Sequence, residues 1–85
     1  MASARTIVPC PEGAWTIVST NKTTATIHTK ITSRYFHNFA LTGQPAPTTL
    51  ADGIFFRDSV EFNNTVAIDI YIWCQGKAGS VGVDD

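Results

Sequence analysis

The sequence predicts an all-β domain, a small antiparallel β-sandwich or partly open barrel of about six to seven short strands with an extended N-terminal arm. Three observations carry this. Thr65–Cys74 alternates strictly between two faces, turn-forming clusters recur every several residues, and the segments between those clusters are rich in β-branched and aromatic side chains.

Taken in chain order, residues 1–13 read as the arm and residues 14–85 as a single β domain. Pro9 and Pro11 flank Cys10 and hold that stretch extended, so Thr6-Ile7-Val8 is expected to pair with a neighbouring sheet edge. Ala14–Ser19 and Thr23–Thr29 read as two strands of a hairpin joined through Thr20-Asn21-Lys22. Arg34–Leu41 has a periodicity that suits a short helix, but its aromatic density and missing start signal favour a strand. Thr42–Gly53, with two prolines and two glycines, is the principal loop.

Val60 and Phe62 alternate against Ser59 and Glu61 in Asp58–Phe62, and Asn63-Asn64 suits a two-residue turn into the long strand. That strand places Val66, Ile68, Ile70, Ile72 and Cys74 on one face and Ala67, Asp69, Tyr71 and Trp73 on the other. The second face carries two large rings beside one acid, so both faces are expected to touch protein. Gln75–Gly79 is a turn, and Ser80–Val83 is expected to close the meander beside the long strand. Trp15, Ile27, Phe36 or Phe39, Phe56 and Phe62 join the long strand as candidate core.

Composition narrows the function. At 85 residues the chain has room for one core, and proteins of this size often draw stability from disulfides, metals or self-association. A 44% hydrophobic fraction argues against disorder. Charged residues make up only 15%, against about 25% in typical domains, which lowers the desolvation cost of covering the surface with a partner. Arg5, Lys22, Lys30, Arg34, Arg57 and Lys77 are scattered singly at a net charge of −1, so no basic stripe points to nucleic acid. No run has signal-peptide length or approaches the roughly 20 apolar residues of a membrane span. Synthesis in the cytoplasm, with no membrane partner, is the expectation.

Catalytic chemistry has no visible carrier. His28 and His37 have no third ligand at metal spacing, and no metal or cofactor is expected. The carboxylates Glu12, Asp52, Asp58, Glu61, Asp69, Asp84 and Asp85 include no pair with matched acid and base contexts. Asp69, the acid inside the apolar strand, is expected to face water. No phosphate loop, GxSxG elbow or Ser/His/Asp grouping is present, so an enzyme is not expected. Asn21-Lys22-Thr23 and Asn63-Asn64-Thr65 match the glycosylation acceptor pattern but read as turns. Cys10 and Cys74, with 63 residues between them, fit neither a redox nor a zinc spacing and are expected as two reduced thiols. The candidate interface residues are Ile7, Val8, Tyr71 and Trp73, the last two belonging with Trp15 and Tyr35 to the rings that suit a protein patch, a sugar platform or core packing equally.

Several short motifs stand in a familiar order. Trp15–Val18 reads Trp-Thr-Ile-Val, Gly43–Pro47 reads Gly-x-Pro-Ala-Pro, and Gly53–Phe56 reads Gly-Ile-x-Phe. Asp58–Phe62 leads into the aromatic strand, and Ser80-Val81-Gly82-Val83-Asp84 ends the pattern. In this order the chain resembles small all-β accessory proteins of tailed-bacteriophage virions, with Arg57-Asp58 standing where such domains usually turn with Pro-Gly. The resemblance implies a structural role in the virion: a capsid decoration or cement protein, a homo-oligomer with a trimer favoured, bound to the major capsid protein or other virion proteins. The alternative it implies is a carbohydrate- or receptor-binding module of a tail fibre.

Overall fold

The computed structural model describes residues 6–29 and 34–85. Six strands follow in chain order: β1 (Thr6–Cys10), β2 (Trp15–Thr29), β3 (Arg34–Leu41), β4 (Ile54–Phe56), β5 (Ser59–Gln75) and β6 (Gly79–Asp84), with one 3-10 turn at Leu50–Asp52. They form a single sheet in the order β1-β6-β2-β5-β3-β4, with every pairing antiparallel. The sheet curls into a half-barrel. The all-β expectation is met, in the form of a partly open barrel.

Two long strands replace two expected hairpins. β2 runs through Thr20-Asn21-Lys22 without reversing, and β5 runs through Asn63-Asn64 in the same way. Both halves of β2 pair with both halves of β5: Trp15 opposes Trp73 at one end and His28 opposes Ser59 at the other. The register shifts between these ends, and residues 64–67 of β5 lie between two pairings that have only Thr23 between them on β2. Asn21 takes a left-handed conformation, φ 56°, which asparagine tolerates better than most residues, and its N–H donates to Asp69 Oδ1 at 3.0 Å. A bulged strand bends and twists more than a regular one, so the irregular stretch lets one strand pair serve both halves of a curled sheet.

The turn that does form is at Asp58. Its φ of 62° and the 2.6 Å bond from Ser59 N–H to Arg57 O make a three-residue turn. Thr29 N–H donates to Asp58 O at 2.9 Å and ties this corner to β2.

The strand expected to close the meander also lies elsewhere. β6 leaves β5 and pairs with β2 on one side, Thr26 opposing Asp84, and with β1 on the other, Thr6 opposing Val83. Residues 6–10 of the expected arm are therefore the outermost strand of the chain's own sheet, while residues 1–5 lie outside the described residues. Pro9, which has no N–H to give a ladder, sits where a proline is tolerated, on an edge strand.

Alternation sorts the core. Ile68, Ile70, Ile72 and Cys74 on β5 are fully buried and face Ile27, Tyr35, Val81 and Val83 from other strands. Val66, expected on the same row, is exposed because it falls in the irregular stretch where the period-2 pattern breaks. The opposite face of β5 is covered in part by the loop after β3. Trp15 Nε1 donates to Thr49 O at 2.9 Å, and the loop then returns through Gly53, where a Cβ would lie 3.0 Å from both Phe36 Cβ and Trp15 Cη2. Glycine is the residue that permits this approach.

Candidate functional site

One row of side chains crosses the half-barrel from its closed end to its open end. On β3, Tyr35, His37, Phe39 and Leu41 share the concave face, and Ile54 and Phe56 of β4 stand opposite His37 and Tyr35. Tyr35 and Phe56 are buried, but Phe39, Leu41 and Ile54 are 45%, 49% and 60% exposed. Ile54 opposes His37 across the β3–β4 ladder, and Phe39 and Leu41 continue the apolar row along β3. Phe62, reaching in from β5, meets His37 and Phe39 edge-to-face, with ring centroids 5.3 and 6.2 Å away.

His37 is the polar member of this surface. Its ring packs against Phe56 and Phe62, and its Nδ1 is buried with no hydrogen-bond partner among the described residues. Burial pushes its pKa below the ordinary 6.5 because the protonated ring would be poorly solvated there. His28 is on β2, where its Nε2 lies 2.9 Å from Asp84 Oδ2. The two histidines belong to separate surroundings, and no group of three His, Cys, Asp or Glu among the described residues is arranged to hold a metal ion.

The four candidate interface residues divide. Ile7 is 53% exposed on the edge strand β1, while Val8 is partly buried against the core. Tyr71, expected at an interface, is buried within its own chain, because Ile17 and Asn38 flank it in register on a face the chain itself partly covers. Trp73 is half-buried, meets Trp15 edge-to-face at 5.5 Å, and donates from Nε1 to Gln75 Oε1 at 2.8 Å. Tyr35 is also interior, its hydroxyl donating to Ser80 O at 2.8 Å.

The carboxylates serve the fold. Asp69 does not simply face water: its Oδ1 accepts from the Asn21 N–H and from the Thr42 hydroxyl, both at 3.0 Å, joining the kink of β2 to the end of β3. Asp85 accepts from the buried Ser19 hydroxyl at 2.8 Å. A polar depression of about 230 Å³ lies beside this carboxyl terminus, between Thr24, Thr26, Glu61, Asn63, Asp84 and Asp85. Its polar lining is three carboxylates, two threonine hydroxyls and the Asn63 amide.

Sequence reasoning missed Leu41 and Ile54 and assigned Phe39 to the core as an alternative to Phe36. The signal for Ile54 was the short apolar run Ile54-Phe55-Phe56 directly after a Gly/Pro loop, the mark of a brief edge strand with one face unfilled. No family model, no curated protein and no solved structure matches this chain.

Proposed function

We propose that this chain is a non-enzymatic binding module that covers its open apolar end with protein, and that its setting is the surface of a tailed-bacteriophage virion, where it decorates or cements the capsid. The observation that carries the binding role is the contiguous exposure of Phe39, Leu41 and Ile54 on the concave face. Large apolar side chains gathered in one place, on a surface poor in charge, are the mark of an interaction site. A partner that buried about 800 Å² there would cover roughly a sixth of the 4982 Å² surface, enough for stable attachment. The virion setting rests on the ordered motifs from Trp15 to Asp84, and its partners are the major capsid protein and further copies of the chain, with a trimer as the favoured assembly. Repetition over a lattice would raise occupancy through avidity.

The tail-fibre alternative, a sugar platform, has less support. Tyr71 is buried, and the Trp15 and Trp73 rings meet edge-to-face with both indole N–H groups engaged inside the chain. Light scattering from low to high micromolar concentration, run beside a glycan array, tests the proposal. A closed oligomer and a silent array are the expected result. A monomer at every concentration that binds glycans would replace the cement reading with the adhesion one.

A further inference from the structure

Cys10 and Cys74 come from strands that are not neighbours in the sheet, yet the curl brings them together. Cys10 ends β1 opposite Gly79 of β6, and a Cβ on Gly79 would lie 3.3 Å from Cys74 Sγ. Just past Cys10 the chain touches β5 directly: Glu12 bridges to Cys74, and Gly13 N–H donates to Cys74 O at 3.0 Å. The Cys10 thiol donates to Val8 O at 3.8 Å, the two thiols are near enough to influence each other's ionisation, and both residues are fully buried. Neither is oxidised in this structure.

We propose that Cys10 and Cys74 are a disulfide site, and that oxidation fastens β1 to β5 and locks the closed end of the half-barrel. The oxidant is a small-molecule disulfide such as oxidised glutathione. One cysteine thiolate attacks a glutathione sulfur, forming a protein–glutathione mixed disulfide and releasing one glutathione thiolate. The second cysteine thiolate then attacks the protein sulfur of that mixed disulfide and releases the other. Two protein thiols are oxidised, the electron pair reduces one glutathione disulfide to two thiols, and the two protons end on glutathione.

The same geometry controls when this happens. Burial, reinforced by the neighbouring Cys74, pushes the Cys10 thiol up to about 12, and burial raises Cys74 as well, so little thiolate exists while β1 is docked. β1 is a five-residue edge strand held in the sheet, among the described residues, by β6, so breaking one ladder releases it. Exchange therefore proceeds through molecules in which β1 has lifted, and re-docking brings the sulfurs together. Linking residues this far apart removes much of the freedom of the unfolded chain.

The test treats the full chain with oxidised glutathione, in native buffer and at a urea concentration just below the unfolding transition, and reads intact mass and thermal midpoint. The expected product is a single chain lacking two hydrogens, formed at least about tenfold faster in mild urea, with a midpoint raised by about 10 °C or more and restored by dithiothreitol. Cys10→Ala yields no such product. Cross-links only between chains, no internal disulfide in either condition, or an internal disulfide with an unchanged or lowered midpoint would each overturn the proposal.

Discussion

Along β3, one face of one strand passes from Tyr35, 1% exposed, to Leu41, 49% exposed. At the Tyr35 end every neighbour is in place. Phe56 packs on the ring, Ser80 takes the hydroxyl, and the Cys10–Cys74 pair lies beside Gly79, where β1 and β6 come round to meet the end of β5. At the Leu41 end β4 has already stopped, since it pairs only with Tyr35, Phe36 and His37. The same alternation thus builds a core where the sheet closes and an apolar surface where it does not. The closed end holds the fold, and the open end leaves large apolar side chains exposed.

Substitution of matched apolar residues gives the largest contrast. Ile72→Ala, in the filled interior, should lower unfolding free energy by about 2–5 kcal/mol, whereas Ile54→Ala should change it by no more than about 0.5 kcal/mol, both read by urea denaturation. Equal losses would abolish the distinction between the two ends. Gly79→Ala comes next. Its Cβ would stand 2.7 Å from Tyr35 Oη, so a cost of about 1–3 kcal/mol is expected, and a neutral result would show the closed end to be loosely packed. Tyr35→Phe keeps the ring and removes its bond to Ser80 O, which should cost about 1 kcal/mol.

His37 lies between the two regions and gives a pH signature. Its folded pKa is depressed by burial below 6.5, so between those two values the unfolded chain holds more protons than the folded one. Its contribution is fully present above that ordinary value and is lost as pH falls through the window toward the folded pKa. The thermal midpoint of His37→Phe should therefore fall less on acidification than that of the wild type. Identical pH profiles would place His37 in water. A small effect is also expected at His28→Ala, where the partly exposed contact with Asp84 is worth at most about 1 kcal/mol.

Much of the fold is legible in the sequence because period-2 alternation is a local property. The alternation of Ile68, Ile70, Ile72 and Cys74 identifies the buried row without any knowledge of pairing. Pairing is where local reading fails. Asn63-Asn64 suits a tight turn, yet neither residue has positive φ, and the left-handed asparagine is Asn21, inside a strand that continues. Whether an asparagine reverses a chain or only kinks it depends on what receives its N–H, here Asp69, which is 48 residues away. The exposed apolar surface was less legible for the same reason. Phe39 and Ile70 oppose one another with similar apolar character, and only the early end of β4 leaves one exposed and the other buried. Tyr71 and Trp73 drew attention as large rings on the second face, but the chain covers one wholly and the other in part.

The central claim is that the open end carries association while the closed end carries stability. The most direct measurement is sedimentation equilibrium of the wild type beside a variant with Phe39→Ser, Leu41→Ser and Ile54→Ser together, each also unfolded in urea. The account predicts an oligomeric wild type and a monomeric variant that remains folded. A variant that keeps the wild-type mass, or a wild type that stays monomeric at every concentration, would contradict it.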